Sequence, residues 1–371
     1  MDSDFGAVHD ELRGVARMML ANHSPLTTAG RSFKPLDWQL LASSGWLGLE
    51  VPAAQGGAGA GFAELAVLLT EFGRVAAAAP YLGSVVLGTA ALSLLEANTG
   101  RDHRLQELAA GTRRVAVALP TDRPEVGQPT APFRIRRAGS VLEVSGRAGF
   151  VPDVVGADEI LLLAADDHRP VLVAVAPSAP GLQIDAQPVV DETRHLAAVI
   201  ADGVEIDPDS LWSFTGSPEA GAARLAERAM LAVACDSLGL ATMMMEATVA
   251  YVTDRYQFGR PIGSYQAVKH ACADMLVGIS ICSELVGTAV EALSSDEPGS
   301  WVPVSMAKAH VSSVAVEIAG KAIQLHGGVG YTWERGLHAY LKRAALNRSL
   351  FGSPIAHRRR LAARYAGEGN S

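Results

Sequence analysis

Several features that are scarce in this 371-residue sequence exclude whole classes of protein. Charged residues make up only 19% of the chain and hydrophobic residues 49%, so the sequence lacks the low hydrophobicity and high charge of a disordered chain. Its three cysteines are far fewer than a disulfide-stapled secreted module needs. A basic excess is also absent, because the net charge is −8, and this argues against a nucleic-acid partner. A large globular protein is the class that remains.

The sequence also has no obvious apolar run that is long enough to cross a membrane. Its most apolar stretch, residues 81–95, is shorter than the ~20 residues that a spanning helix requires. The first residues are acidic and contain no apolar segment typical of a signal peptide. We therefore expect no membrane span and a cytoplasmic location.

Signatures of metal and nucleotide binding are missing as well. No histidine or cysteine pair has the spacing typical of a zinc site, so we expect no metal ligand. The glycine-rich run at residues 57–61 lacks the third glycine and the preceding strand of a dinucleotide-binding motif, and we interpret it as a turn between helices. The cysteines lie in apolar segments and are expected to be small core residues: Cys235, Cys272 and Cys282.

The low charged fraction itself has two explanations. Soluble domains typically contain roughly 25% charged residues. A lower value indicates either large cores or a surface that is buried between subunits, and composition alone does not distinguish them.

The hydrophobic pattern changes twice along the chain and predicts three regions. Residues 1–113 have a helical pattern, residues 114–216 contain short β-rich runs separated by turns, and residues 217–371 return to a helical pattern. The expected fold is mainly α with a central β-domain: an N-terminal helical domain, a middle β-barrel and a C-terminal four-helix bundle. Pro303 is expected near the start of a bundle helix. The predicted strands are residues 115–119, 133–135, 141–144, 160–163, 171–175 and 199–200.

Two segments at predicted helix ends carry most of the chemical information. In residues 255–266 (RYQFGRPIGSYQ), an arginine, a phenylalanine and a glutamine surround a Gly-Pro turn and offer a cation, an aromatic face and an amide to a charged planar ligand. In residues 324–332 (QLHGGVGYT), glycines follow a helix end, where free backbone N–H groups suit a pyrophosphate. Each segment by itself is more often an ordinary connection between helices.

Together the two segments resemble the acyl-CoA dehydrogenase family. The matching motifs are RxxFGxPIxxxQ at residues 255–266, QxxGGxGY at residues 324–331, and GWLGLEVP followed by QGG within residues 45–57. The resemblance covers the whole chain and preserves the order of helices, β-barrel and four-helix bundle. The stretch from residue 332 to Tyr340, with FGSP at residues 351–354, is similar to a branch common in actinobacterial degraders of lipids and steroids.

This resemblance implies FAD-dependent α,β-dehydrogenation of an acyl-CoA thioester, in fatty-acid or steroid side-chain β-oxidation, with an electron-transferring flavoprotein-type acceptor. A carboxylate takes the α-proton while the β-hydrogen leaves as hydride to the flavin. In the family, the first motif reaches the FAD of a neighbouring subunit, the second holds the adenine end, and a late Gly-Thr pair touches the cofactor. The implied cofactor-binding residues are Arg255, Phe258, Gln266, Gln324, Gly327, Gly328, Gly352 and Ser353.

The catalytic base expected of the family is missing. Most members carry a glutamate directly before the late Gly-Thr pair, and this position is Phe351. A minority place the glutamate on the first bundle helix, at the position of Ala229. Glu227 is rotated about 200° away from Ala229, whereas Asp236 shares its face but stands roughly 10 Å further along the helix. The catalytic residue is therefore unknown, and Asp236 is interpreted as an ion-pair or polar contact more readily than as a base.

The residues that would face the flavin ring also depart from the family. Members usually carry a TEPxxGSD-like segment and a Trp-Ile-Thr run, where this chain has LPTDR at residues 119–123 and FVPD at residues 150–153. Pro152 offers neither a hydroxyl nor an N–H group. The chain thus keeps the residues that reach a partner's cofactor, whereas those that hold its own flavin ring are weakened.

This asymmetry predicts the non-catalytic subunit of a heteromeric acyl-CoA dehydrogenase, in which a paralogous subunit supplies the base. Two alternatives stay open: a self-sufficient homo-oligomeric dehydrogenase with an unplaced base, and a non-redox subunit that binds acyl-CoA or acts as a scaffold. The sequence does not identify the acyl group, because generic apolar side chains line such pockets and a methylene changes discrimination by only ~1–3 kcal/mol.

Overall fold

The computed structural model describes residues 2–21, 23, 35–120, 131–139, 141–295, 299–332 and 336–368. Within these residues the chain is helical at both ends and β-structured in the middle, which confirms the predicted fold class. Residues 57–61 form a loop before a helix, as expected from their glycines.

Five described α-helices form the N-terminal region, and two of them have polar N-caps. Asp37 accepts a hydrogen bond from the Gln39 N–H (2.9 Å), and Asn98 accepts one from the Arg101 N–H (2.8 Å), so two helices begin directly after these residues. A buried π-helical segment, Leu82–Thr89, precedes the fourth helix. The helices are α1 (Asp2–Leu20), α2 (Trp38–Ser43), α3 (Phe62–Arg74), α4 (Ala90–Ser93) and α5 (Thr99–Ala109).

The middle region is one sheet of eight described strands. Its order is β6-β7-β3-β2-β4-β5-β8, with β1 paired to β4. The pairings of β1 and β2 with β4 are parallel, and the other pairings in this sheet are antiparallel. The strands are β1 (Val115–Ala118), β2 (Phe133–Ala138), β3 (Val141–Pro152), β4 (Glu159–Asp166), β5 (Arg169–Val175), β6 (Leu182–Gln187), β7 (Leu196–Ile206) and β8 (Leu211–Trp212).

Both faces of strand β4 are buried, in two different cores. Ile160 and Leu162 belong to a core formed by the strands themselves, whereas Leu161 and Leu163 pack into the larger core that the helices share. Successive side chains of a strand point to opposite faces, so a continuous apolar run is needed here. This packing joins the sheet to both helical regions.

Five described helices form the C-terminal region. They are α6 (Pro218–Asp254), α7 (Gln266–Ser294), α8 (Trp301–His326), α9 (Leu337–Ser349) and α10 (Pro354–Glu368). Helix α8 contacts each of the other four. Pro303 lies in the first turn of α8, where the missing N–H breaks no helical hydrogen bond.

The six predicted strands are present, but two further strands of the middle region were missed. Strand β6 carries the polar residues Gln183, Asp185 and Gln187 and pairs only with β7 among the described strands, and β8 has only two residues. Neither provides the apolar run on which the prediction relied. Cys235 and Cys282 are buried as expected, while Cys272 is half-buried.

Two described helices, α6 and α7, are long and apolar enough to cross a membrane by length and composition alone, a criterion that the core helices of globular proteins also meet. In α6, 78% of the most apolar window is buried inside the chain, so this helix is a core element. In α7 the corresponding value is only 28%. Helix α7 therefore carries an apolar surface that the described part of its own chain leaves uncovered.

Candidate functional site

The first predicted segment forms a tight hairpin after α6. Strand β9 (Tyr256–Gln257) pairs with β10 (Arg260–Pro261), and the two residues between them, Phe258 and Gly259, have φ values of 53° and 79°. Two successive left-handed residues are typical of a type I′ turn, in which phenylalanine is strained. The Phe258 side chain is 92% exposed. The strained backbone thus presents a ring that the described part of the chain does not bury.

Short-range contacts hold this hairpin in place. The Ile262 N–H donates to the Arg255 carbonyl (2.7 Å), and the Arg260 guanidinium lies 4.0 Å from the centre of the Tyr265 ring. Arg255 is exposed, and Gln266 is the exposed first residue of α7. The structure therefore places Arg255, Phe258 and Gln266 on the surface around one hairpin.

The second predicted segment is a glycine loop at the end of α8. Gly327 has a φ of 63° and ends the helix, and Gly328 follows in a 3₁₀ turn. A Cβ added at either glycine would meet no other atom within 4 Å, so the space above the loop is open. Gln324 is exposed on the last turn of α8. The backbone of Gly327 and Gly328 is therefore accessible to a ligand.

A ring stack brings the glycine loop to the same end of the bundle as the hairpin. The Tyr251 ring, near the end of α6, stacks on the His326 ring with centroids 4.4 Å apart and planes at 19°. His326 Nδ1 is also 2.8 Å from the Ala322 carbonyl, which fixes the imidazole. The six predicted residues of the two motifs therefore cluster at the end where α6 and α8 finish.

The remaining two predicted residues lie in a different turn, between α9 and α10. Phe351 and Gly352 are buried and have φ values of 56° and 102°, and the exposed Ser353 accepts a hydrogen bond from the Ala356 N–H (3.3 Å). The Gly352 carbonyl accepts a hydrogen bond from Lys308 Nζ (3.0 Å). Lys308 precedes His326 by eighteen residues on α8, roughly 27 Å at 1.5 Å per residue. The eight predicted residues thus form two groups near opposite ends of α8.

Asp236, the candidate base, is fully engaged in a buried ion pair. Its Oδ1 accepts from Arg343 Nη2 (2.6 Å), and its Oδ2 accepts from Arg343 Nε (3.0 Å) and Asn347 Nδ2 (2.5 Å). Arg194 Nη2 lies 3.3 Å from Oδ2. Burial alone would raise the pKa of Asp236, but the two guanidiniums and the hydrogen bonds outweigh it and hold the pKa below its ordinary value. The structure thus supports the ion-pair interpretation.

The other positions considered for a base supply none. Ala229 is fully buried, and Phe351 packs into the helical core with 5% exposure. Glu227 accepts a hydrogen bond from Ser300 Oγ (2.6 Å), directly before α8, and Arg224 lies 3.9 Å away. No carboxylate among these positions is free to take a proton from a substrate.

The strand end that would face the flavin ring shows a strained backbone and no hydroxyl. Phe150 and Asp153 have φ values of 52° and 58°, and Pro152 lies between them at the end of β3. Asp153 Oδ2 accepts a hydrogen bond from the Gly83 N–H (2.7 Å) at the start of the π-helical segment, and burial raises its pKa to about 6. Of residues 119–123, the last three lie outside the described residues.

Sequence reasoning missed the buried polar groups that organise these turns. Lys308 has no exposed surface and lies three residues before Val311, on the apolar stripe of α8. A lysine on a predicted buried face was a usable signal. Arg343 and His357 gave no such signal, because neither residue sits in a strongly apolar run. Among the described residues, no group of three His, Cys, Asp or Glu side chains is placed to hold a metal ion.

Two family descriptions match the chain. The description "Acyl-CoA dehydrogenase, N-terminal domain" matches residues 5–112, and "Acyl-CoA dehydrogenase, C-terminal domain" matches residues 222–366. Acyl-CoA dehydrogenase IpdE2 of Mycolicibacterium smegmatis is 30% identical over 334 residues, which cover 89% of this chain and 88% of that protein.

Solved structures share the whole architecture. A variant of the Tcur3481-Tcur3483 steroid ACAD has a TM-score of 0.86 and 27% identity, with 99% of each chain covered. The ChsE4-ChsE5 complex from Mycobacterium tuberculosis has a TM-score of 0.86 and 24% identity, with 96% of this chain and 97% of that chain covered. At that identity the second similarity concerns the fold alone. These matches confirm the resemblance that the motifs indicated.

Proposed function

Because the chain belongs to the acyl-CoA dehydrogenase family, we propose that it takes part in FAD-dependent α,β-dehydrogenation of an acyl-CoA thioester as one of two unlike subunits. The observation that carries this proposal is the contrast between the two ends of α8. At one end, Phe258 is 92% exposed on a strained turn; at the other, the turn that bears the base in most members holds the buried Phe351. The partner subunit would supply the carboxylate.

The hairpin and the glycine loop fit a cofactor that belongs mostly to another subunit. Bound FAD would supply the hydride acceptor of the reaction. Arg255 would pair with its phosphates, Phe258 and Gln266 would contact it from the hairpin, and Gln324, Gly327 and Gly328 would hold its adenine end. The open space above Gly327 and Gly328 and the exposure of Phe258 support this assignment.

The second group of residues fits only part of a flavin site. Gly352 and Ser353 would touch a cofactor at the α9–α10 turn, with Ser353 exposed there. Pro152 brings no hydrogen-bond donor to the flavin ring, and Phe351 brings no proton acceptor. This chain's share of such a site would therefore be binding and positioning, and the proton at the substrate α-carbon would go to a group of the partner.

The uncovered face of α7 supports an obligatory oligomer. Leu276, Val277 and Ile281 are 53%, 60% and 46% exposed on this helix. Large apolar side chains exposed together on one helix are typical of a protein–protein or membrane contact. We assign this face to a subunit interface, and it accounts for part of the low charged fraction of the sequence.

The substrate that the relatives favour is a bulky, steroid-derived acyl-CoA thioester. The structurally similar Tcur3481-Tcur3483 protein is described as a steroid ACAD, and its identity to this chain is 27% over almost its full length. An electron-transferring flavoprotein-type protein is the acceptor proposed here, and the cytoplasm is the proposed location. The self-sufficient alternative is weakened because its candidates, Asp236 and Glu227, are both engaged in buried contacts.

Co-expression tests the proposal directly. The full chain is purified alone and together with a paralogous acyl-CoA dehydrogenase that carries the family glutamate. We expect little bound flavin and no dehydrogenation in the single chain, and a yellow, active complex with FAD in the pair, followed by flavin absorbance and acyl-CoA turnover. Full activity with stoichiometric FAD in the single chain would overturn the two-subunit assignment. CoA-thioester binding without flavin in every pairing would instead favour the scaffold alternative.

A further inference from the structure

Lys308 is a buried lysine whose hydrogen bonds go to backbone carbonyls instead of a carboxylate. Its side chain has no exposed surface, and its Nζ donates to the Gly352 carbonyl (3.0 Å) and, at 3.4 Å, to the Arg348 carbonyl. Among the described residues, no carboxylate pairs with it. Burial, and then the charge of Arg348, lower the pKa of Lys308 to about 7. Burying an ammonium without a carboxylate costs free energy, and the two hydrogen bonds to carbonyls offset part of that cost. A lysine kept at such a position points to a structural role for these two hydrogen bonds.

His357 donates to the carbonyl next to the one that Lys308 holds. Its ring is fully buried, and Nε2 lies 3.1 Å from the Phe351 carbonyl oxygen. Burial, and then the charge of Lys308, lower the pKa of His357 to about 3, so the ring is neutral and Nε2 carries the proton. In the described residues, Nδ1 has no hydrogen-bond partner. The Phe351 carbonyl is thus the single hydrogen-bond partner of the His357 ring in the described residues.

These two side chains hold a turn that the backbone alone disfavours. Phe351 and Gly352 have φ values of 56° and 102°, and a left-handed phenylalanine is strained because its Cβ approaches its own carbonyl group. The turn stops α9 and starts α10 within four residues, with Ser353 as the cap of α10. The Arg348 carbonyl lies in the last turn of α9, where carbonyls lack helical partners and a cation is favourable.

We propose that Lys308 is a positioning residue which, with His357, clamps residues 350–353 so that Gly352 and Ser353 meet the cofactor in a fixed geometry. Lys308 itself contacts neither the substrate nor the cofactor. It acts through two carbonyls, that of Arg348 just before the turn and that of Gly352 within it. The role at the cofactor rests on the proposed function above, whereas the clamp is a property of the chain by itself.

The clamp is tested on the purified full chain by hydrogen–deuterium exchange. Lys308→Met keeps the length and apolar stem of the side chain but removes every donor. We expect the amides of residues 350–357 to exchange at least about tenfold faster than in the wild type. Lys321→Met is the matched control, because Lys321 is a 41%-exposed lysine on the same helix. It should leave this segment unchanged, and equal protection of residues 350–357 in Lys308→Met would overturn the clamp.

The role at the cofactor is tested in the two-subunit complex by FAD titration and by the visible absorption of the bound flavin. Lys308→Met should raise the FAD dissociation constant about tenfold and alter the flavin spectrum, whereas Lys321→Met should do neither. Lys308→Gln keeps an N–H donor and should restore part of the FAD affinity and of the wild-type flavin spectrum. If Lys308→Met fails to fold, Lys308→Gln is the variant on which the same measurements are made. Faster exchange together with unchanged flavin binding and spectrum would overturn the role at the cofactor. If the wild-type complex binds no FAD, the proposed function fails, while the exchange result still decides the clamp.

Discussion

At the scale of single residues, the environment of Asp236 decides its chemistry. The carboxylate is anionic and accepts hydrogen bonds at both oxygens, from Arg343 and Asn347, while Arg343 also donates to the Ala77 carbonyl (2.5 Å) and to Thr193 Oγ1 (3.0 Å). These partners belong to the N-terminal, middle and C-terminal regions. Asp236 is therefore the centre of a junction between three parts of the chain, and its stabilising role follows from that position.

Asp236→Asn is expected to lower the free energy of unfolding by about 3–5 kcal/mol, because it leaves two buried guanidiniums without their carboxylate. The pKa of Asp236 is lowered in the folded chain, so this stabilisation is present above its unfolded pKa of ~3.9 and is lost as the pH falls through the folded value. The difference between wild type and variant should accordingly shrink in acid. Chemical denaturation between pH 3 and 8 measures both effects.

Asp254→Asn serves as the control, because Asp254 is the exposed last residue of the same helix and should change stability little. A variant Asp236→Asn that unfolds like the wild type, while its two-subunit complex loses turnover, would instead identify Asp236 as the base.

At the scale of elements, the β9–β10 hairpin combines strain with exposure. Phe258 occupies a position of a type I′ turn where asparagine is favoured, so its backbone is strained. Because its ring is 92% exposed, burial contributes almost no stabilising free energy to offset this strain. Both the strain and the exposure are explained if another subunit, with its cofactor, covers the Phe258 ring as proposed. The glycine loop at the end of α8 has the same character, since its open space is filled by no part of the described chain.

Phe258→Ala is expected to leave the melting temperature of the single chain unchanged and to weaken the two-subunit, FAD-loaded complex about 30-fold, as expected when a central aromatic contact is removed. Calorimetry gives the first value, and flavin retention during gel filtration at decreasing concentration gives the second. Tyr365→Ala removes an aromatic ring that is 64% exposed on α10 and should affect neither. Unchanged retention of flavin in Phe258→Ala would remove this ring from the shared site.

At the scale of the whole molecule, large cores are one cause of the low charged fraction, and the proposed subunit interface on α7 would be the other. Helices, strands and the π-helical segment bury two extended cores, and strand β4 contributes one face to each. In addition, only 28% of the most apolar window of α7 is buried inside the described chain. This exposed apolar face is the surface that the two-subunit proposal assigns to a partner.

Val277→Glu is expected to disrupt assembly, because it places an unpaired charge in the proposed interface, where water is excluded. Sedimentation velocity should show the dissociation constant of the complex raised at least about tenfold. Val190→Glu is the matched control, since Val190 is 71% exposed in a loop of the middle region. Assembly that tolerates Val277→Glu as well as Val190→Glu would assign the α7 face to something other than a subunit contact, such as a membrane surface.

The sequence by itself determined the features that depend only on residues close together in the chain. The order of helical and β-rich regions, the two long motifs and the loss of the glutamate at Phe351 were all readable, because periodicity and motif spacing are local properties. Strand β6 escaped this reading, since an edge strand with polar alternate residues has no apolar run. The predicted cofactor residues remain predictions, with the hairpin and the glycine loop now placed at one end of the bundle.

Only the tertiary structure decided the roles of the buried charges. Asp236 is paired with Arg343, which follows it by 107 residues, and Lys308 is bonded to Gly352, which follows it by 44 residues. The burial of a charge and the identity of its partners depend on how distant helices pack, and neither is encoded in the neighbouring residues. The same carboxylate that the sequence leaves open as a base or an ion pair becomes an ion pair because α9 brings a guanidinium within 2.6 Å of it.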